Sequence, residues 1–98
     1  MIRSYLFVPG DSEKKLAKAA SSGPDALILD LEDSVVPERK ATARAMVLAY
    51  LRQRARGSSP QCFVRVNAIA TGHMLTDLAA ILAGAPDGIV VPKMNART

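Results

Sequence analysis

The sequence predicts an α/β protein built on a parallel sheet. Short apolar runs alternate with segments of helical periodicity, and each connection is long enough for a crossover helix. The runs also end in polar or charged residues, which places chemistry at one end of the sheet. The resulting order, β-α-β-α-β-α-β, calls for right-handed crossovers.

Tyr5-Leu6-Phe7-Val8 is closed by Pro9-Gly10 and reads as a strand entering a turn. Asp11 or Ser12 can cap a helix over residues 13–20, with Gly23 just past its end. Residues 26–31 form the second strand. Pro37 suits the first turn of a second helix, whose stripe Val47, Leu48, Leu51 and Ala55 carries it to about Arg56. Gly57-Ser58-Ser59-Pro60 ends it, and residues 62–67 are the third strand. Leu75, Leu78, Ala79 and Leu82 recur at helical spacing up to Gly84, and residues 88–92 are the fourth strand. Tyr5 and Phe63 are expected in the core. Arg39, Lys40, Arg44, Arg52, Arg54 and Arg56 are expected on the solvated outer face of the second helix.

A chain of 98 residues with 49% apolar content holds one small folded domain. With two Tyr, two Phe and no Trp, its core must be aliphatic. A net charge of +4 without stacking aromatics or a concentrated basic patch argues against nucleic-acid binding. Cys62, the single cysteine, cannot form an internal disulfide and reads as a small core residue. No signal-peptide h-region follows Met1, and no apolar run approaches the roughly 20 residues of a membrane span. These features lead to the expectation of a cytoplasmic protein.

The stretch Asp30-Leu31-Glu32-Asp33-Ser34 places three carboxylates directly after a hydrophobic strand. Ligands of α/β proteins bind at the carboxyl ends of parallel strands. Strand one ends in Pro9-Gly10-Asp11, strand three in Arg65-Val66-Asn67, and strand four runs into Lys93. Residues two apart share a strand face, which groups Asp30 with Glu32 and Arg65 with Asn67. The carboxylates are expected to face basic groups, and a cation, at the mouth of the sheet.

The segments RSYLFVPGDSEKKLAKA, DALILDLEDSV, VRVN and GIVVPK, in that order and spacing, resemble the N-terminal half of the citrate lyase β-subunit family. This group of CoA-dependent carbon–carbon lyases lies within the HpcH/HpaI aldolase superfamily. The resemblance implies that residues 1–98 are a single partial domain, the first four β/α units of a (β/α)8 TIM barrel. It also implies magnesium-dependent aldol or Claisen cleavage of a citrate, citramalyl-CoA or malyl-CoA type substrate. Acyl-CoA and a keto acid would be the small-molecule partners, and a homo-oligomer the usual assembly. Direct magnesium ligands are expected beyond residue 98, so the isolated chain is expected to be inactive.

By the same resemblance Arg65 is the substrate-binding arginine, whose planar fork suits a carboxylate or carbonyl oxygen. Glu32 and Asp33 match an acidic pair beside the metal site, and read as outer-shell groups that accept hydrogen bonds from metal-bound water or orient Arg65, in preference to direct ligands. Phe7, Lys14 and Lys18 match positions that contact CoA; Phe7 would act by packing, and the two lysines share a helix face. Each residue also has a plainer reading: an ion pair for Arg65, a helix cap for Asp33 or Ser34, a solvated face for the lysines. His73 reads as an exposed polar residue, Asn67 as support for the site, and Lys93 as either a counter-charge or a substrate contact. The alternative to an enzyme is an inactive half-barrel that binds CoA or assembles with another chain. Its open face would carry inward-pointing aliphatics such as Leu29 and Val64, with Asp30 or Arg65 near the mouth.

Overall fold

The computed structural model describes residues 3–19, 21, 23–54 and 60–92. Four parallel strands, β1 (Tyr5–Pro9), β2 (Ala26–Asp30), β3 (Gln61–Arg65) and β4 (Gly88–Val90), lie side by side in sequence order. They are joined by α1 (Glu13–Ala19), α2 (Lys40–Gln53) and α3 (Met74–Ile81). The register aligns Pro9, Asp30, Arg65 and Val90 across the sheet, one residue per strand, at its carboxyl edge. Among the described residues no helix is long and apolar enough to cross a membrane.

Local chemistry accounts for the boundaries. Ser12 Oγ accepts the Lys15 amide at 3.2 Å and caps α1, as the sequence predicts. Gly23 adopts φ +85°, a backbone region that glycine enters without the strain a side chain would add. Pro37 opens a short 3-10 turn (Pro37–Arg39) that leads into α2, and Val36 precedes it without a side-chain cap. The expected caps Asp33 and Ser34 therefore do not cap this helix. The second and third strands stop at Asp30 and Arg65, where the chain turns to present its charged residues. Ala55 and Arg56 lie outside the described residues.

The core lies on the helix side. Val8, Leu27, Leu29, Cys62 and Val64 point from alternate strand positions into a layer completed by Leu16, Val47, Leu51 and Ile81. Leu29 and Val64 are thus fully buried beneath helices and do not face the open side, contrary to expectation. The opposite face carries Tyr5, Phe7, Ile28, Phe63 and Arg65 in the other half of the strand alternation. Tyr5 is 55% exposed, not a core residue, and its ring meets Phe63 at 6.5 Å. On α3 the expected stripe is displaced. Leu75 and Leu82 are exposed, while Asp77 and Ile81 are buried.

The basic residues of α2 are not a solvated row. Arg39 pairs with Asp11 at 3.0 Å, Arg44 with Asp77 at 2.7 Å, and Arg54 with Asp87 at 3.2 Å. Lys40 is buried; Arg39 and Arg52 remain exposed, as expected. Each acid comes from a different segment, so α2 ties successive β/α units together.

Candidate active site at the carboxyl ends of the strands

Asp30 ends β2 on the face not covered by helices, directly beside Arg65 at the end of β3. Arg65 donates from Nε to Asp30 Oδ1 and from Nη2 to Asp30 Oδ2, both at 2.9 Å, the bidentate geometry that a guanidinium fork favours. Asp30 also accepts the Glu32 amide at 2.9 Å, the Ser34 amide at 3.0 Å and the Ser34 hydroxyl at 2.7 Å. Both of its oxygens are therefore engaged. Burial would raise its carboxyl, but hydrogen bonds from Arg65 and Ser34 outweigh burial and hold it at about 2. The contact with Asp30 in turn raises the Arg65 guanidinium.

Glu32 Oε1 stands 3.4 Å from Arg65 Nε, and Asp33 Oδ2 stands 3.9 Å from Nη2. Burial, followed by the neighbouring Asp33 charge, pushes the Glu32 carboxyl up. Asp33 is mostly exposed. The Phe7 ring lies under the guanidinium, with Arg65 Cζ 4.8 Å from its centroid. Among the described residues the Nη1 group of Arg65 has no hydrogen-bond partner. The site is thus an oriented guanidinium, stacked on an aromatic ring, with one free edge and two carboxylates beside it.

Gly10 explains how β1 and β2 close at this end. Its amide donates to the Asp30 carbonyl at 2.8 Å, and a Cβ at this position would stand 2.6 Å from that same oxygen. Only glycine permits the approach. Lys14 and Lys18 both lie on α1, exposed and one turn apart, with Leu16 and Ala19 turned inward.

Of the residues singled out in the sequence, Phe7, Glu32, Asp33 and Arg65 come together around Asp30. Asn67 does not share the surroundings of Arg65: it is buried, its Nδ2 donating to the Leu31 carbonyl at 2.9 Å and to Asp77 Oδ2 at 2.7 Å. His73 is not a free surface residue; its Nδ1 lies 3.1 Å from Arg44 Nη2. Lys93 lies outside the described residues. Burial raises the Cys62 thiol, which fits a core residue and not a nucleophile.

Two buried ionic groups escaped the sequence reading. Lys40 Nζ donates to the carbonyls of Leu31, Glu32 and Val35 at 2.9, 3.1 and 2.9 Å. Asp77 accepts from Arg44 and from the Asn67 amide and side chain, each at 2.7 Å. A signal was present for both. Lys40 stands three and seven residues before Ala43 and Val47, and Asp77 four before Ile81, so helical spacing places them on the buried stripes.

Among the described residues no group of three or more His, Cys, Asp or Glu side chains could hold a metal ion. Asp30 is committed to Arg65 and Ser34, which leaves only Glu32 and Asp33. These residues do not make a magnesium coordination sphere by themselves. A surface groove of about 490 Å³ between α1 and α2, lined by Leu16, Met46 and Tyr50 among others, includes none of the site residues.

Known proteins bear on this arrangement. A citrate lyase subunit beta-like protein of Deinococcus radiodurans is 38% identical over 98 residues, covering 97% of this chain and 34% of that protein. The mitochondrial citramalyl-CoA lyase of Homo sapiens is 35% identical over 95 residues, covering 95% and 28%. Protein CitE of Mycobacterium tuberculosis, solved with magnesium, acetoacetate and coenzyme A, superposes with a TM-score of 0.73 at 37% identity, covering 95% of this chain and 33% of that one. The chain spans about a third of the length of the curated relatives it matches. Its four parallel strands and three connecting helices are the N-terminal part of a TIM-barrel fold of the citrate lyase β type. The HpcH/HpaI aldolase/citrate lyase family profile matches residues 3–98, and the chain belongs to that family.

Proposed function

We propose that this chain supplies the substrate-binding arginine, the acidic loop and the CoA-facing helix of a magnesium-dependent acyl-CoA carbon–carbon lyase. The substrates would be of the citrate, citramalyl-CoA or malyl-CoA type. The observation that carries this reading is the Arg65 group: a guanidinium clamped by Asp30 at 2.9 Å, stacked on Phe7, with its Nη1 edge unengaged among the described residues. A structural ion pair needs neither the ring nor the free edge. A site for a keto acid needs both, because a preorganised donor is worth more than one that must reorient.

Cleavage of such a substrate turns a carbinol carbon into a carbonyl and leaves the acyl-CoA carbon as an enolate that must gain a proton. Arg65 holds a carboxylate or carbonyl oxygen of the keto acid, and Asp30 fixes the plane of the guanidinium. Glu32 and Asp33 accept hydrogen bonds from water around the bound group. Phe7 packs at the base of the site, and Lys14 and Lys18 offer two ammonium groups to the phosphates of CoA. Magnesium, when bound, would polarise the carbonyl oxygen; Glu32 and Asp33 fit its outer shell only, and its direct ligands belong to other residues of the complete catalytic unit.

Two experiments test the proposal. Alone, the chain should show no magnesium-dependent cleavage of citramalyl-CoA or malyl-CoA. In a full-length relative, replacing the arginine that corresponds to Arg65 by alanine should lower kcat/KM by about 100-fold, the scale of losing one oxyanion donor. Wild-type kcat/KM in that variant would refute the role given to Arg65.

A second reading is favoured by the uncovered sheet face. Tyr5 and Phe7 are both more than half exposed there, which suits a half-barrel that pairs with another polypeptide. Chemical crosslinking followed by peptide mapping to β1 distinguishes this reading from a free-standing unit.

A further inference from the structure

The three carbonyls of Leu31, Glu32 and Val35 converge on one point, where they would repel one another if nothing positive stood between them. The Lys40 ammonium occupies that point. It has three N–H donors and uses all of them, at 2.9, 3.1 and 2.9 Å. Lys40 is only 8% exposed, and among the described residues it makes no ion pair with a carboxylate. A buried charge without a direct counter-ion is costly, so the arrangement persists only because the carbonyl dipoles and the nearby acidic loop offset it. The Leu31 carbonyl also accepts Asn67 Nδ2 at 2.9 Å, and Asn67 is itself held by Asp77. The loop that carries Glu32 and Asp33 is therefore gripped from beneath by a cation.

We propose that Lys40 is the positioning residue of the acidic loop: its ammonium is the buried cation around which residues 31–35 are wound, and it fixes where Asp30 and Glu32 meet Arg65. The inference rests on the reading of the Arg65 group as the substrate-facing site, but its geometry is independent of any substrate. A bidentate guanidinium cannot replace the ammonium, because a planar fork does not present three donors to three converging acceptors. An apolar side chain would leave three carbonyls facing one another.

The test uses the 98-residue chain. In the wild type, nuclear magnetic resonance of the lysine side chains should show one slowly exchanging ammonium, with couplings across hydrogen bonds to the carbonyl carbons of Leu31, Glu32 and Val35. Absence of those couplings overturns the proposal, whatever the variants do. Lys40→Met and Lys40→Arg should each speed amide exchange at Glu32 and Ser34 by tenfold or more relative to Leu27 and Val64, and should shift the Arg65 Nε–H resonance. A uniform rise at all four amides would show general stabilisation only, and restoration by Lys40→Arg would show that charge alone suffices; either result overturns it. Failure of the site reading appears elsewhere. If acetoacetate binds Arg65→Lys as it binds the wild type, the substrate role of Arg65 is lost while the Lys40 couplings stand.

Discussion

Removing Arg65 should take away much of the fold's sensitivity to acid. Asp30 is 2% exposed, and its carboxyl sits at about 2 against an ordinary 3.8. Because the folded state binds this proton less readily than the unfolded chain, the stabilisation is present above about pH 4. It is lost as pH falls through about 2. The difference is on the order of 2 kcal/mol. Glu32 works in the opposite sense: its carboxyl is raised, so its contribution grows as pH falls, and a Glu32→Gln background isolates Asp30. In that background, Arg65→Met should cost about 3–5 kcal/mol near pH 7, because it strands a buried charge. It should also flatten or reverse the loss of stability between pH 4 and pH 2. Asp30→Asn combined with Arg65→Met should recover part of the loss, since neither partner is then left charged. Urea unfolding followed by circular dichroism at several pH values measures all three. An Arg65→Met variant that keeps the wild-type slope between pH 4 and pH 2 would refute the assignment of the Asp30 shift to Arg65.

Other outcomes follow from single features. Gly10→Ala should destabilise by about 2 kcal/mol or more, the scale of an overpacked site, and urea unfolding reads it; a neutral effect would mean that the Asp30 carbonyl can retreat. Lys14→Ala with Lys18→Ala, in a full-length relative, should weaken CoA binding and flatten its salt dependence in calorimetric titrations; unchanged affinity at low salt returns both lysines to a solvated role. Purified alone, the chain should associate through the face carrying Tyr5 and Phe7 and through its unpaired edge strands, β1 and β4. Light scattering that gives a single 10.4 kDa species would show that this face is stable in water.

The strand order and the site were legible because each rests on a local rule. The apolar runs gave the strands, and the carboxyl-end rule brought Arg65 to Asp30 without any knowledge of the register. The position of the Phe7 ring under Arg65 is a contact set by strand pairing that no spacing reveals. The basic row on α2 misled because charge is read as exposure, while Arg44 and Arg54 pair with acids 33 residues away. Tyr5 was placed in the core because aromatic residues in strands usually pack. Among the described residues no helix layer lies over its face. Lys40 and Asp77 were hidden by residue type alone, since their positions fit the buried stripes.

The ties made by α2 also bear on the order in which the chain acquires structure. Arg39 and Lys40 find Asp11 and the carbonyls of residues 31–35 in chain that precedes them, so this end of α2 can settle as soon as it emerges from the ribosome. Arg44 and Arg54 cannot: Asp77 and Asp87 are made later. During synthesis α2 is therefore fastened at its start and loose toward its end, with two cations awaiting acids from α3 and from the approach to β4. Contacts of such separation form late and slow folding. The final turns of α2 thus register whether α3 and the approach to β4 have arrived.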